Sequence, residues 1–304
     1  MPPILQQAPA APTPRRSLGA YRPVQLRDLV RLGRDNDGGY VVSERVCAAT
    51  RTILALGIST DWSFESAFHA RNPAVRVIGV DGSVSAQVFR RGAKARLAAA
   101  LRALSRLRYR EMRFEIAECR ELLRLARGLE DFFGQNGRFC ERFITASESP
   151  RSITWQSLIA EIPAEVRDVG GVFVKMDIEG AEYEVLPEVL RDASSLSGMV
   201  IEFHDCDLHW DAFADLMDRA MTDFVVVHVH GNNWRPLIPG TAVPSTLEVT
   251  LLHRRLIGEE PASQASYPLA GLDQPCHPDR PDYTLSFDQR QPHTETQRGA
   301  FRSA

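Results

Sequence analysis

The sequence alternates between apolar segments of strand length and longer segments with helical spacing, and this alternation constrains the fold more than any other feature. It extends from about residue 52 to residue 252. Segments ordered in this way form βαβ units, whose strands pair in parallel. The sequence therefore predicts an α/β fold with a mostly parallel central sheet flanked by helices.

The hydrophobic pattern also predicts the individual elements of this sheet. The expected strands are residues 52–58, 75–80, 139–146, 172–177, 199–203, 224–230 and 246–252. The expected helices are residues 63–71, 93–107, 119–133, 153–161, a segment ending near residue 190, and 210–221. Ser63 is the expected N-cap of the first helix. The pattern leaves open whether residues 93–133 form a lid over the site or only a helical cap.

A different element precedes the first strand. Residues 30–34 and 40–43 flank Asp35-Asn36-Asp37-Gly38-Gly39. The Asp-Gly-Gly sequence supplies the positive φ angles that a tight turn needs. We therefore expect an N-terminal antiparallel β-hairpin.

Composition and charge limit the class of protein. A chain of 304 residues with 44% apolar residues can bury a sizeable core. Its net charge of -3 gives no overall positive field that would attract nucleic acid or an anionic membrane surface. No apolar run approaches the roughly 20 residues that a membrane span needs. The five cysteines lack any C-x-x-C pair, which predicts free thiols in a reducing cytoplasm.

The two ends of the chain differ from the middle. Residues 1–20 are rich in Pro and Ala and are expected to form a disordered leader. Residues 21–258 are the predicted folded domain, and residues 259–304 are the predicted extended, partly disordered tail. Within that tail, residues 267–269 and 283–287 could dock on the core.

Ligands of an open α/β sheet bind beyond the carboxyl ends of its strands, so the residues that follow each strand are candidates for a site. A strand-glycine-helix turn, followed about 20 residues later by an acid, can bind a nucleoside and its ribose hydroxyls. The three-glycine fingerprint is absent, and acids in the first helical turn would repel a pyrophosphate. We therefore expect S-adenosylmethionine rather than NAD, bound by Gly57, Asp61, Ser63, Phe64, Glu65 and Asp81.

The later strand ends carry candidate catalytic residues. Strand alternation places Lys175 and Asp177 on one side, where they form either a structural ion pair or part of the site. His204 could accept the proton of a substrate hydroxyl, with Glu202 or Asp177 orienting it. Glu182, in contrast, is interpreted as a helix-start residue whose charge suits the helix dipole.

The next strand end predicts the acceptor side of the site. His230, Asn232, Asn233 and Trp234 are the expected substrate-binding residues, because indole faces and amides suit a sugar. Trp62 and Trp210 lie in or beside the same loops, and all three indoles could equally be cleft packing. No compact metal-ligand motif is present, so we expect no metal. A divalent metal, if one is bound, would be held by Asp177, His204, Asp205 and His230.

Four segments together resemble the FkbM-like methyltransferases. They are residues 33–40, Gly57 with Ser63-Phe64-Glu65, residues 175–182 and residues 228–233. The most specific part is Asp-Ile-Glu-Gly-Ala-Glu after a Lys-containing strand, joined to Glu202-Phe203-His204 at the next strand end. The resemblance covers about residues 30–252, and the sequence departs from it at Ile58-Ser59-Thr60, where a second glycine is usual.

The resemblance implies a Rossmann-like class I methyltransferase fold and S-adenosylmethionine as the methyl donor. It further implies O-methylation of a hydroxyl on a sugar, glycan or secondary metabolite, with a small-molecule or glycan acceptor. A nucleic-acid partner is not expected, because of the net charge. Two other classes stay open: a non-catalytic nucleoside- or glycan-binding protein of the same fold, and a metal-dependent hydrolase. The acceptor and the oligomeric state do not follow from the sequence.

Overall fold

The structure is a computed structural model that describes residues 16–287. Residues 1–15 of the expected leader and residues 288–304 of the expected tail lie outside this range. The strands are β1 (Leu29–Leu32), β2 (Tyr40–Ser43), β3 (Thr52–Leu56), β4 (Arg76–Val80), β5 (Gly137–Cys140), β6 (Phe143–Ile144), β7 (Ser152–Ile153), β8 (Val172–Met176), β9 (Leu196–Phe203), β10 (Phe224–Gly231) and β11 (Leu247–His253). The α-helices are α1 (Glu44–Ala49), α2 (Ser63–Arg71), α3 (Ala86–Ser105), α4 (Tyr109–Asn136), α5 (Trp155–Ala160), α6 (Ala164–Asp168), α7 (Glu182–Val189) and α8 (Cys206–Ala220).

Seven strands form the central sheet in the order β10-β11-β9-β8-β3-β4-β5. β11 runs antiparallel to both of its neighbours, and the pairs from β9 to β5 are parallel. Taken in chain order from β3, the strands lie as 3-2-1-4-5-7-6, so the order reverses between β3 and β8. The predicted fold class is confirmed: a Rossmann-like, mostly parallel sheet with an N-terminal hairpin, β1 paired with β2.

Helices cover both faces of the sheet, which explains why its strands are almost continuously apolar. On one face, Phe68 of α2 packs against Phe173 of β8, with 5.3 Å between ring centroids. On the other face, Phe213 of α8 meets Phe203 of β9 edge-on at 5.0 Å. These rings belong to two separate buried apolar clusters, one on each side of the sheet.

The reversal between β3 and β8 brings two loops into close contact. Gly57, directly after β3, has a φ of +81°, and a Cβ there would lie 1.7 Å from the carbonyl oxygen of Asp177. The backbone N–H of Asp177 in turn donates to the carbonyl of Leu56 at 3.0 Å. Only glycine fits this position, because a side chain would need both an unfavourable φ and occupied space.

The C-terminal segment folds back onto the sheet. Residues 259–287 cross the end of β10, where Tyr267 forms an isolated bridge with Leu285 and both side chains are buried. Gln274 accepts from the backbone N–H of Asn36 in the hairpin turn at 2.9 Å. This segment therefore joins the hairpin turn, residues 33–39, to the last strands of the sheet. The domain boundaries proposed from the sequence stay a prediction.

Several element boundaries differ from those expected. The helical segment 93–133 is longer than predicted and forms an antiparallel pair, α3 and α4, whose contact is lined by small residues such as Ala93 and Ala100. The expected strand 139–146 is wrong as one piece, because the chain breaks at Glu141 and continues as β6. Ser63 is the first residue of α2 rather than its N-cap.

Two global expectations can be compared directly with the structure. Among the described residues, no helix combines the length and apolarity required to cross a bilayer. The five cysteines carry free thiols.

We predict that Gly57→Ala destabilises the protein by about 2–4 kcal/mol, because the methyl group would enforce a strained φ and collide with the Asp177 carbonyl. The measurement is urea-induced unfolding. Gly134→Ala is the control: a Cβ on this helical glycine meets open space, so the change should stabilise by roughly 0.5–1 kcal/mol. Equal effects at both positions would contradict the structure.

Candidate active site

A buried tyrosine lies between two carboxylates at the carboxyl edge of the sheet. The Tyr40 hydroxyl is 3.1 Å from Asp177 Oδ2 and 3.3 Å from Glu202 Oε2. A phenol has one proton, so it donates to one carboxylate at a time. Burial, and then the charges of Asp177 and Glu202, raise the pKa of Tyr40 well above its ordinary value. Tyr40 therefore links the ends of β8 and β9 as a neutral donor.

His204 is held by carboxylates on both of its ring nitrogens. Nδ1 lies 3.1 Å from Glu182 Oε1, and Nε2 lies 3.6 Å from Glu179 Oε2 and 3.9 Å from both Asp177 and Glu202. Burial opposes the charged form, but the Glu182 hydrogen bond and the Glu202 charge raise the pKa of His204 to about 9. His204 is therefore an imidazolium at neutral pH in the protein without a ligand. Glu182, rather than the expected Glu202 or Asp177, orients the ring through Nδ1.

Glu182 also shapes the loop between β8 and α7. Its carboxylate is fully buried and accepts from the backbone N–H groups of Ile178 at 3.0 Å and Gly180 at 3.0 Å. Glu179 and Gly180 adopt positive φ angles of 54° and 101°. The interpretation of Glu182 as a helix-start residue holds for the local structure, but the same side chain positions His204.

Lys175 and Glu65 lie behind this group, deeper in the protein. Lys175 Nζ donates to the carbonyl of Gly57 at 2.5 Å and lies 3.5 Å from Asp177 Oδ2. Burial opposes its charge, but Asp177, Glu65 and Glu202 raise the pKa of Lys175. Glu65 is 1% exposed, and its Oε1 has no hydrogen-bond partner in the described part of the chain. Burial raises the pKa of Glu65 to about 7.

Asp81 stabilises the glycine turn from the neighbouring strand. Its Oδ2 accepts from the N–H groups of Ile58 at 2.9 Å and Ser59 at 2.8 Å, and its Oδ1 accepts from the N–H and hydroxyl of Ser83. Burial opposes ionisation, but these hydrogen bonds lower the pKa of Asp81. The side chain predicted to bind a ribose is thus directed at the turn after β3 and is satisfied by protein donors.

The remaining cofactor candidates occupy different places. Asp61 accepts from the N–H of Ser63 at 3.0 Å and pairs with Arg34 at 3.2 Å. Asp61 and Ser63 therefore connect the start of α2 to the hairpin turn. Phe64 lies in the core, 2% exposed, with its ring edge-on to Tyr40 at 5.5 Å. The structure does not bring Phe64 to the strand-end cleft, because the first helical turn directs it inward.

His230 lies in a second buried network rather than beside His204. Its Nδ1 is 3.1 Å from Glu248 Oε2 and its Nε2 is 3.0 Å from Asp282 Oδ2. The thiol of Cys276 donates to Glu248 Oε1 at 3.2 Å. Burial opposes the charged form, but Glu248 and Asp282 raise the pKa of His230 well above its ordinary value.

The other predicted acceptor residues contact the C-terminal segment as well. Asn233 is 1% exposed: its amide N–H group donates to the carbonyls of residues 277, 280 and 281, and its oxygen accepts from the N–H of His277 at 2.6 Å. Asn232 donates to Glu202 Oε1 at 2.7 Å. Trp234 is 49% exposed and packs on the His277 ring at 4.2 Å. Trp210 is buried in the core.

The proposed four-residue metal set is not brought together. Asp177 and His204 lie with Glu179 in one group whose ligand atoms are within 4.8 Å of one another, and His230 lies with Glu248 and Cys276 in another. Asp205 belongs to neither group; it is exposed, has a φ of +48° and precedes α8. The expectation was wrong about the set because the C-terminal segment supplies partners to His230. Among residues 16–287, these two groups are the ones with donors suited to a metal.

The electrostatics of this edge are dominated by acids. Asp177, Glu202, Glu248 and Asp37 face one another closely enough that their charges contribute to raising the pKa values of Glu202 and Asp37, after burial itself. Lys175 is the buried base beside them. Such a concentration of acidic side chains attracts a cation and disfavours a polyanion such as a pyrophosphate.

Sequence reasoning missed several residues of the site. Tyr40 was recognised as a residue of the expected hairpin, but its contact with Asp177 after β8 depends on how the hairpin packs. Glu248 pairs with Glu202 in the sheet register, which requires the position of β11 to be known. Asp273, Cys276 and Asp282 lie in a segment that has no periodic signal; Asp273 pairs with His228 at 3.0 Å.

Comparison with known proteins gives one kind of match. No protein-family model matches the sequence, and no curated protein does. A precorrin-6y C5,15-methyltransferase from Geobacter metallireducens is similar over 69% of this chain and 85% of its own, at 10% identity and a TM-score of 0.33. An uncharacterised protein from Listeria monocytogenes is similar over 73% and 69%, at 8% identity and a TM-score of 0.33. A 16S rRNA (adenine(1408)-N(1))-methyltransferase from Catenulisporales acidiphilia covers 74% and 97%, at 16% identity and a TM-score of 0.24. These likenesses are coarse, and the fold class of this chain rests on its own strand order.

We predict that Glu65→Gln stabilises the protein at high pH. Between pH 4.5 and about 7 the native state retains the Glu65 proton that the unfolded chain releases, so stability falls as the pH rises through this window. The free energy of unfolding of the variant should exceed that of the native protein by about 1–3 kcal/mol at pH 8, and the two values should be closer at pH 5. Urea unfolding at both pH values measures this. Glu141→Gln, on an exposed loop, is the control, and a Glu65→Gln effect independent of pH would contradict the assignment.

We predict that His204 titrates near pH 9 in the native protein. In Glu182→Gln the amide keeps an acceptor oxygen but removes the charge, so the midpoint should fall by about one to two pH units. Imidazole NMR measures both midpoints. His253 ends β11 at the opposite edge of the sheet and serves as the internal control. A native midpoint near the ordinary histidine value, or no change in the variant, would show that Glu182 does not govern His204.

Proposed function

We propose that this chain is an S-adenosylmethionine-dependent methyltransferase that methylates a hydroxyl on a sugar, glycan or secondary metabolite. The observation that supports this most is the group of acidic side chains at the carboxyl edge of the sheet, where the strand order reverses between β3 and β8. There a glycine turn lies against the Asp177 main chain, and acidic side chains surround it. Ligands of open α/β sheets bind at this type of position.

The side chains at this edge of the sheet fit the donor chemically. S-adenosylmethionine carries a sulfonium and an ammonium group and no phosphate, so an acidic edge favours it. Asp177 is 27% exposed at this edge, and the Lys175 ammonium is already engaged by the Gly57 carbonyl. Glu65 is 1% exposed behind Lys175, so in this structure it contributes through its charge on Lys175 rather than by contact with the donor. Asp61 stands at the mouth of the same turn.

We assign the adenosine part of the donor to Asp81, beside the Gly57 turn. In this structure Asp81 uses its acceptor sites on the turn and on Ser83. The Ser83 hydroxyl is the donor that a ribose hydroxyl replaces most easily, because the two are chemically alike and the three backbone donors then stay in place. Asp81 would thus bind the ribose and hold the Gly57 turn at the same time.

Bound S-adenosylmethionine supplies an electrophilic methyl group. The residues of this chain orient the acceptor and manage its proton, and orientation provides most of the acceleration in such a transfer. His204 Nε2 faces Asp177 and Glu202 at 3.9 Å and can take the hydroxyl proton once it is neutral. A cation bound beside Asp177 favours that neutral form, because it lowers the pKa of His204 by repulsion. Tyr40 and Glu182 position the carboxylate and the imidazole.

The acceptor side supports a hydroxylated ligand. Trp234 presents an exposed indole beyond β10, and Asn232 lies beside Glu202. His230 and Asn233 contribute indirectly in this proposal, since their polar groups hold the C-terminal segment against the end of the sheet. An acceptor would then bind between that segment and Asp177.

The alternatives make different demands. A metal-dependent hydrolase would need one of the two acid-histidine groups to retain a divalent metal; the group of His230, Glu248 and Cys276 has the donor types that zinc prefers. A non-catalytic protein of this fold would bind the nucleoside without needing a base at His204.

Calorimetry with S-adenosylhomocysteine and S-adenosylmethionine tests the proposal. We expect saturable binding at one site, weakened about tenfold or more in Asp177→Asn and in Asp81→Asn, each substitution removing a charge without changing shape. Asp131→Asn, on the exposed side of α4, should bind as the native protein does. If neither ligand binds, the methyltransferase proposal is contradicted. Stoichiometric metal in that same sample would then favour the hydrolase.

A further inference from the structure

The net charge of α3 and the start of α4 is opposite in sign to that of the rest of the chain. Residues 86–114 contain nine basic residues and one acidic residue, a net charge of +8, whereas the whole chain carries -3. The rest of the chain therefore carries -11. The overall charge conceals this separation, which makes α3, the connection and the start of α4 positive while the sheet edge is acidic. The rest of α4, residues 115–136, has five acidic and three basic residues.

Most of these basic residues are not paired. Arg90 pairs with Glu130, Arg96 pairs with Glu115 and Arg108 pairs with Glu111. In the part of the chain that the structure describes, six others form no ion pair: Arg91, Lys94, Arg102, Arg106, Arg110 and Arg113. The unpaired charge is thus concentrated on α3, the connection to α4 and the start of α4.

The same region exposes large apolar side chains. Leu97, Leu101 and Leu104 of α3 are 50%, 61% and 44% exposed. Their spacing of four and three residues places them on one face of the helix. At the connection, Leu107 is 71% exposed, and the nearby Tyr109 is 56% exposed. Folded chains seldom expose adjacent apolar residues in this way without a binding role.

A groove next to the connection between α3 and α4 is lined by both basic and apolar side chains. It has a volume of about 480 Å³ and lies between the end of α3 and the start of α4. Arg102, Arg106 and Arg110 line it together with Ala103 and Phe114, and so do Glu111 and Glu115, which pair with Arg108 and Arg96. The three lining arginines, which form no ion pair among the described residues, suit a phosphate joined to an acyl chain.

We propose that α3, the connection and the start of α4 dock this protein on an anionic lipid surface. The leucine face enters the acyl boundary, and the flanking arginines and Lys94 contact the lipid phosphates. A helix with leucines on one face and basic residues beside them is the pattern that binds in the plane of a membrane interface. Tyr109 is suited to the headgroup level, where its ring is apolar and its hydroxyl is hydrated.

The observations favour lipid over two other occupants. A second copy placed by two-fold symmetry would bring α3 against an identical positive helix, because α3 has no acidic residue and three of its basic residues form no ion pair among the described residues. Nucleic acid would match the charge, but it offers no partner for a row of leucines. Docking on lipid satisfies both the charge and the apolar face.

Vesicle flotation tests this proposal with the full chain. We expect binding to vesicles of phosphatidylcholine with about one third phosphatidylglycerol, weak binding to phosphatidylcholine alone, and loss of binding at high salt. Leu101→Ser with Leu104→Ser, and separately Arg102→Glu with Arg106→Glu, should each reduce the partition coefficient at least about tenfold. Circular dichroism and thermal unfolding confirm that each variant is folded.

The controls are matched in residue type. Leu208→Ser changes an isolated exposed leucine of α8, and Arg51→Glu with Arg76→Glu reverses two exposed charges outside the helical pair; both should leave vesicle binding unchanged. Equal binding to neutral and anionic vesicles, or binding to RNA but not to vesicles, would overturn the proposal. A native dimer in sedimentation equilibrium would also overturn it, if the leucine variant is monomeric and the native dimer does not bind vesicles.

Discussion

The close approach of the Gly57 turn to the main chain of Asp177 is the constraint on which the site depends. It joins the two strands between which the sheet order reverses, and it leaves no volume for a side chain at position 57. The Asp81 carboxylate stabilises the same turn from one side by accepting from the backbone N–H groups of Ile58 and Ser59. Lys175 stabilises it from the other side by donating to the Gly57 carbonyl. The turn is therefore fixed before any ligand binds, which reduces the ordering cost of binding.

A row of acids across neighbouring strands is the second feature that gives the site its character. Asp177, Glu202 and Glu248 end or lie near the ends of adjacent strands, and neutral or cationic partners separate them: Tyr40 between Asp177 and Glu202, and His230 beside Glu248. Glu202 and Glu248 are direct register partners. Removing water from several carboxylates is costly, so such an arrangement persists only where each has donors or a cation beside it. The same cost explains why a cationic ligand is favoured at the open, partly exposed Asp177.

The sequence predicts the sheet well and the site less completely. Strands were predictable because buried parallel strands are continuous apolar runs, and Gly57, Asp177 and His204 were predictable because they follow those runs directly. Boundaries around residues 86–153 were less predictable, because small residues such as Ala93 and Ala100 form a helix contact without a strong hydrophobic period. The roles of His230 and Asn233 could not be predicted, since both depend on a C-terminal segment that lacks periodicity and reaches the sheet through tertiary contacts.

The most direct test of the account is a crystal structure of the protein with S-adenosylhomocysteine. The account predicts electron density for the ligand between the Gly57 turn and Asp177, with the ribose hydroxyls at Asp81 and the Ser83 hydroxyl displaced from that carboxylate. Ligand density at another edge of the sheet would contradict it. So would the absence of ligand density between the Gly57 turn and Asp177 in a crystal grown with a saturating concentration of the ligand.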